Sequence, residues 1–303
     1  MLALAVSGGP DSMALMALAV EALGPARLRA LTVDHGLRAG SAAEAAGVAA
    51  TAATLGVAHA TLRWDGPHPV AGLQAAARRA RYRLMRDWCR ARGIGWLATA
   101  HHADDQAETL LMRAARGAGP RGLAGIRPRR RLGGGVRLIR PLLDWRRAEL
   151  AAIAAATGWP ISNDPSNADP RFARARARAL LAGTPWLDPQ GLAAAAACQR
   201  DAEVALAWAA ARAWAGRAVV GPGPEVLLDA AGLPRAIQLR LVARAVRTVA
   251  PDAQPRGPAL ARLRARLAAG GRATLGGVLA DARAATAWRF TPAPPRTPRD
   301  HAP

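Results

Sequence analysis

Ala5-Val6-Ser7-Gly8-Gly9-Pro10-Asp11-Ser12 is the stretch whose reading decides the fold. Ahead of it, Leu2 to Val6 is a short apolar run of the length of a buried strand. Behind it, Ser12-Met13-Ala14-Leu15-Met16-Ala17-Leu18 combines strong helix formers with apolar residues at helical spacing. Pro10 suits the first helical position, where its missing N–H is no loss. The two glycines reach backbone angles closed to other residues and let a ligand approach the main chain. A strand that feeds a Gly-rich turn opening a helix is an anion site, because free N–H groups and the helix dipole both point outward. Ser7, Gly8, Gly9, Pro10, Asp11 and Ser12 are therefore the candidate phosphate-binding residues. A plain tight turn uses the same residue types; the position after the first strand, where doubly wound folds seat phosphates, favours a ligand. The loop is not a Walker P-loop, which ends in Gly-Lys-Ser/Thr: the chain has no lysine, and all 42 of its basic residues are Arg.

The composition of the 303-residue chain fits a protein that touches a polyanion, nucleic acid ahead of others. The net charge is +21, and the arginine excess is spread over both halves. Abundant Arg and Ala also reflect the base composition of a genome, but the acids have not risen to match. A hydrophobic content of 51% without a run of membrane-spanning length predicts a soluble globular protein. No signal peptide is legible before the Gly-rich turn. Cys89 and Cys198 form no Cys-x-x-Cys, which speaks against a disulfide framework or zinc ribbon and for a reducing cytoplasm.

Through the first half, short apolar runs alternate with amphipathic segments, the pattern of a parallel sheet covered by helices. Strands are expected at Leu2–Val6, Leu28–Val33, Ala58–Leu62, Trp96–Ala98 and Val136–Ile139, and helices at Asp11–Leu23, Ser41–Leu55, Leu73–Arg92, Asp105–Arg116 and Arg146–Thr157. The fold class is α/β: a Rossmann-like parallel sheet with helices on both faces, followed by a smaller, mainly helical domain. From Gly158 to Pro185 the chain reads as irregular, and a boundary falls near Trp186-Leu187. The domains are then 1–187, which carries the Gly-rich loop, and 188–303. In the second, helices are expected at 191–215, Pro234–Val249 and Pro258–Ala269, short strands at Arg272–Leu279 and Thr286–Phe290, and a disordered Pro/Arg-rich tail after Thr291.

The polar clusters fall where such sheets bind ligands, at the carboxyl ends of strands. Val33, Asp34 and His35 close the second strand in a turn that runs on through Gly36-Leu37-Arg38. Arg78, Arg81 and Tyr82 share one face of a helix and could clamp a phosphate or carboxylate. In His101-His102-Ala103-Asp104-Asp105-Gln106-Ala107-Glu108, Asp105 and Glu108 project to one side, suited to Mg²⁺ on ATP oxygens or to an ammonium. The same Asp-x-x-Glu spacing is close to a helix capping box. Adjacent histidines on a strand end point opposite ways, which argues against a His-only zinc site. Arg113 and Arg116 lead into a Gly-rich basic loop, followed by Arg127 and Arg129-Arg130-Arg131, read as a loop over the sheet ends in reach of an RNA backbone.

The Ser-Gly-Gly-x-Asp-Ser loop resembles that of the PP-loop ATP pyrophosphatases. The order of that loop, Val-Asp-His-Gly-Leu-Arg (33–38), Arg-x-x-Arg-Tyr (78–82), His-His-x-Asp-Asp-Gln-x-Glu-Thr (101–109), Arg-Gly-x-Gly-Pro (116–120) and Arg140-Pro141-Leu142 is similar to the tRNA(Ile)-lysidine synthase family. Asp164-Pro165-Ser166-Asn167 and the Arg174 to Arg178 stretch extend the likeness, and Ala273-Thr274-Leu275-Gly276-Gly277 is a weaker match. The resemblance implies a two-step reaction on tRNA(Ile) with a CAU anticodon. ATP adenylates the C2 oxygen of the wobble cytidine, releasing pyrophosphate, and free L-lysine then displaces AMP. It implies ATP and Mg²⁺ as cofactors. It makes Asp105, Glu108, Arg81 and Asp34 the catalytic candidates, with Asp105 also in reach of Mg²⁺ through Mg–ATP. It adds Val33, His35 and His101 to the loop residues as ATP-binding, and gives Arg78, Arg113, Arg116, Arg174 and Arg178 to tRNA or substrate. Ala175 stands where the family pattern Arg-Asn-x-x-Arg has Asn. The single residue before the first strand leaves room for an upstream start, and the short second half implies weaker selection of the acceptor stem. A homodimer is left open. The competing readings are another PP-loop enzyme modifying a tRNA or nucleotide, and an inactive arginine-rich RNA-binding homologue.

Overall fold

The computed structural model describes residues 1–37, 40–65, 68, 69, 71–162, 169, 171–283 and 287–294. Arg38, the Asp164–Asn167 motif and the tail beyond Pro294 lie outside the described residues. The chain divides into two compact units, Met1–Arg200 and Asp201–Pro303.

The first unit is built on a six-stranded sheet in the order β3-β2-β1-β4-β6-β5. Its strands are β1 (Leu2–Ala5), β2 (Leu28–Asp34), β3 (Ala58–Arg63), β4 (Trp96–Ala98), β5 (Arg129–Gly133) and β6 (Val136–Ile139). All pairs are parallel except β5 with β6. The helices are α1 (Pro10–Leu23), α2 (Ser41–Thr54), α3 (Leu73–Ala91), α4 (Ala103–Ala114), the single turn α5 (Pro120–Leu123), α6 (Arg147–Ala156), α7 (Ala173–Ala182) and α8 (Pro189–Arg217), whose last residues belong to the second unit. Period-two alternation sorts the core. Leu4, Leu28, Ala30 and Ala98 face Met13, Met16, Val48 and Leu150 from α1, α2 and α6. Ala3, Leu31, Leu97 and Leu138 face Met85 and Cys89 of α3. Both faces are thus covered, as parallel sheets require. Among the described residues no helix is long and apolar enough to cross a membrane.

Two expectations are corrected here. The Gly158–Pro185 segment is not irregular throughout, since α7 occupies Ala173–Ala182. Arg129-Arg130-Arg131 is not loop but the edge strand β5, antiparallel to β6 and joined to it through Gly133, Gly134 and Gly135, all at positive φ. A three-glycine turn tolerates the left-handed backbone that closes this hairpin.

In the second unit, the latter part of α8, α9 (Arg235–Val249) and α10 (Gly257–Ala268) hold more residues than the strands. They accompany a sheet in the order β7-β8-β11-β10-β9, comprising β7 (Ala218–Val220), β8 (Val226–Leu228), β9 (Arg272–Leu275), β10 (Val278–Asp281) and β11 (Trp288–Pro292). The single strand expected over Arg272–Leu279 is two, folded back at Gly276 (φ 61°) and Gly277 (φ 77°). Two successive positive φ values are what a tight hairpin turn demands. Leu241, Val242, Val246, Val278 and Phe290 fill this unit's core.

Candidate active site

Strand order reverses beside β1, whose neighbours are β2 and β4, and ligands of open α/β sheets sit outside the carboxyl ends at such a point. The loop Ser7–Ser12 leaves β1 there, and the His101–Glu108 segment leaves β4 there. Ser7 N–H donates to Ser12 Oγ at 3.1 Å, the two hydroxyls lie 3.3 Å apart, and Ser12 Oγ donates to Gly9 O at 2.9 Å. The serines thus tie the base of the loop, while the N–H groups of Gly8 and Gly9 have no acceptor among the described bonds. Gly8 has φ +86°, and a Cβ there would stand 3.0 Å from Ser162 Oγ. Ser162 N–H donates to Gly8 O at 2.9 Å, so the chain after α6 closes over the cradle.

His102 joins the two loops. Its ring is fully buried at the N-cap of α4, with Nε2 3.4 Å from Asp11 Oδ2 and 3.7 Å from Asp105 Oδ2, and Nδ1 3.6 Å from Asp104 Oδ2. Burial opposes its charge, but the close carboxylates of Asp104, Asp11 and Asp105 outweigh it and raise the imidazole to about 9. It is an imidazolium among three carboxylates. Asp105 keeps its carboxyl ionised against burial, chiefly through His102, and Oδ2 also accepts the His102 N–H at 3.3 Å. The capping geometry and the acidic cluster are thus one device. Asp11 Oδ1 is buried without a partner among the described residues, an acceptor within the loop. Together, Asp11 and Asp105 are a donor set of the hard, oxygen-only kind that suits Mg²⁺ on a nucleotide. Among the described residues no three His, Cys, Asp or Glu side chains form a metal site by themselves.

Glu108, also fully buried, is held by three guanidiniums. Arg147 Nη2 and Arg178 Nε lie 3.0 Å from Oε1, and Arg174 Nε lies 3.1 Å from Oε2. Arg174 and Arg178 are four apart on α7 and so share the face that meets α4. These two expected substrate contacts are anchored by Glu108 while staying partly exposed. A cleft of about 420 Å³ opens on this cluster, lined by Glu108, Arg147 and Arg178 together with Leu181, Pro185 and Leu187. It offers both charges and an apolar wall.

The remaining expected residues surround the strand ends. Asp34 accepts the Gly36 N–H at 2.9 Å, and hydrogen bonds from Ser41 and Gly36 hold its carboxyl below the ordinary range. Arg81 approaches His35 Nε2 at 3.3 Å; burial, then Arg81, bring His35 down to about 4, so it is neutral, and its buried Nδ1 has no partner among the described residues. Val33 packs at the margin of the α3-side core. His101 contacts Thr99 Oγ1 at 2.9 Å and is pushed by burial to about 3. Arg78 lies over the Tyr82 ring at 5.2 Å. Arg113 turns inward and donates to Gly122 O and Gly125 O, while Arg116 stands exposed. Sequence reasoning did not single out His102, Asp104 or Arg147; His102 and Asp104 stood within the quoted cluster, but their partners lie up to 91 residues away.

Residues 1–183 match the PP-loop domain family. A tRNA(Ile)-lysidine synthase from Novosphingobium aromaticivorans is 49% identical over 96% of this chain and 88% of its own length. Those from Methylobacterium nodulans (47%, over 97% and 90%) and Zymomonas mobilis (43%, over 97% and 89%) are similar to nearly the same extent. Among solved structures, the U34-tRNA thiolase NcsA from Methanococcus maripaludis shares the fold, with a TM-score of 0.53 at 17% identity over 66% of this chain and 71% of that one. With its loop, its His102 bridge and its sheet order in place, this chain is an enzyme of the PP-loop class and belongs to the tRNA(Ile)-lysidine synthase family.

Proposed function

We propose that the protein ligates free L-lysine to C2 of the wobble cytidine of tRNA(Ile) bearing a CAU anticodon, forming a carbon–nitrogen bond. The observation that carries this reading is the meeting of Asp11, from the loop after β1, with His102 and Asp105, from the start of α4. It puts a phosphate cradle and a carboxylate cluster at one switch point. The C2 oxygen of the cytidine attacks the α-phosphorus of ATP and pyrophosphate leaves. The lysine amine, having lost one proton, then forms the bond to C2 and AMP leaves with that oxygen. Gly8 and Gly9 offer N–H groups to the phosphates. Asp11 and Asp105 would hold Mg²⁺, which supplies charge neutralisation on the leaving group.

The cleft beside Glu108 suits a substrate with an aliphatic stem and both charges: Arg147 and Arg178 face a carboxylate, and Asp104 an ammonium. A carboxylate beside this cleft takes the ammonium proton. Asp34 would act by fixing the turn that carries His35, and Arg81 by supporting the substrate beside it. Arg78 and Arg116 would contact RNA, with residues 1–187 as catalytic domain and 188–303 touching the tRNA. A cytoplasmic location accords with the free thiols Cys89 and Cys198.

The test is pyrophosphate release from Mg–ATP by the purified protein, with and without that tRNA and lysine. Release should require the tRNA, radiolabelled lysine should become attached to it, and Asp105→Ala should cost at least a hundredfold in rate. Release with no tRNA present would overturn the reading in favour of a small-molecule substrate.

A further inference from the structure

The sheet of the first unit has a charged row at its β5 edge. Register sets Trp96 of β4 beside Arg137 of β6, and Arg137 opposite Arg131 of β5; one period further, Arg129 lies opposite Ile139. Alternation puts these side chains on the face away from Leu97, Val136 and Leu138, which pack toward α3. Arg129, Arg131 and Arg137 are exposed, and Trp96 is 37% exposed with the Arg137 guanidinium 5.2 Å from its ring centroid. Like charges directly opposite on paired strands are destabilising. Among the described residues none of the three guanidiniums has a carboxylate or a hydrogen-bond acceptor. The fold therefore sets Arg131 and Arg137 opposite each other on paired strands, with Arg129 two residues along, an exposed cationic row that a bound anion would relieve.

We propose that this exposed row at the β5 edge binds single-stranded RNA, its phosphates held by Arg129, Arg131 and Arg137 and a base stacked on Trp96. The proposal extends the tRNA reading above to a second surface. Guanidiniums along a flat sheet with an aromatic platform are how single strands are gripped without sequence readout. The direction also fits. β6 ends at Ile139, next to the candidate active site, so Arg129 stands at the site end and the Trp96–Arg137–Arg131 row lies about 6.7 Å further along the sheet, two strand residues away. An RNA segment leaving the site could follow this face.

The experiment is fluorescence anisotropy of a labelled 12-nucleotide oligouridylate over 50–200 mM salt. Arg131→Gln/Arg137→Gln should weaken binding about tenfold and reduce the slope of log affinity against log salt by about 1.4, at roughly 0.7 per lost contact to a single strand. Trp96→Ala should lower affinity with the slope unchanged. Arg27→Gln/Arg83→Gln, which removes two exposed charges elsewhere on the same unit, should change affinity less than twofold. Equal weakening by the two double variants, or none by the first, overturns the proposal. If the row-dependent binding is found in a protein that releases no pyrophosphate with tRNA(Ile), the surface stands and the proposed reaction falls.

Discussion

His102 carries more of the candidate site than any other single residue, because its ring lies within 3.7 Å of Asp11, Asp104 and Asp105 alike. Its folded pKa, raised to about 9 from 6.5, fixes a sign. The stability it contributes is complete below about pH 6.5 and is lost as pH rises through about 9. His35 and His101 act oppositely. Held neutral down to about 4 and about 3, they cost stability as pH falls below 6.5, where the unfolded chain takes up protons that the folded one refuses. Denaturant unfolding at pH 6.5, 8 and 9.5 should therefore show an alkaline loss in the native protein that His102→Gln abolishes. An alkaline slope unchanged in that variant would remove His102 from this role. Glu108 gives the converse test. Glu108→Gln leaves Arg147, Arg174 and Arg178 around a neutral amide, and breaking a buried pair of this kind costs about 3 kcal/mol. A loss under 1 kcal/mol by the same measurement would mean that the three arginines find water instead.

At the scale of elements, α4 is fastened to the segment after α5 by an amide clamp. Gln106 Nε2 donates to Ile126 O at 2.9 Å, and Ile126 N–H donates to Gln106 Oε1 at 2.6 Å. A Cβ on Gly125, at φ +64°, would stand 2.4 Å from that same Oε1. Gly125→Ala should destabilise by about 2 kcal/mol, a left-handed alanine costing roughly half and the collision the rest. Adding Gln106→Ala should recover part of the collision, so the two changes should be non-additive in a double-mutant cycle. Additive losses would show that the clamp yields. The elements also show what a sequence carries. β1, β2, β3, β4, β6 and the helices α1 to α4 and α6 were legible because one periodicity ruled each: short apolar runs for strands, helical spacing for their covers. β5 was not, since Arg129-Arg130-Arg131 buries nothing and is a strand only by pairing with β6. α7 was not, because Arg-Ala-Arg-Ala alternates with period two, yet its Arg174 and Arg178 reach Glu108 only on a helix. The phosphate loop was legible as a local strand–turn–helix. The His102 bridge was hidden because its partners come from distant loops, whose meeting follows from strand order alone.

Over the whole molecule, the net charge of +21, carried entirely by arginine, decides how substrate capture depends on salt. Guanidiniums stay charged at any working pH and pair bidentately with phosphate, so binding of a polyanion should respond to ionic strength far more than to pH. No side chain carries a primary amine, so under the proposed reaction free lysine meets no rival nucleophile of its own kind on the protein. The carboxylate–His102 and Glu108 clusters are buried, and buried pairs are screened much less than exposed ones. Salt should therefore act on capture and spare chemistry. Between 50 and 200 mM salt, an enzyme making about six phosphate contacts loses roughly a thousandfold in affinity. KM for tRNA(Ile) should rise steeply over that range, while kcat at saturating tRNA changes less than twofold. Steady-state pyrophosphate release measured against tRNA concentration at each salt separates the two. A flat KM would mean that the arginine excess is not what holds the RNA. A falling kcat with constant KM would place the salt-sensitive charges inside the site, against the burial of Glu108 and His102.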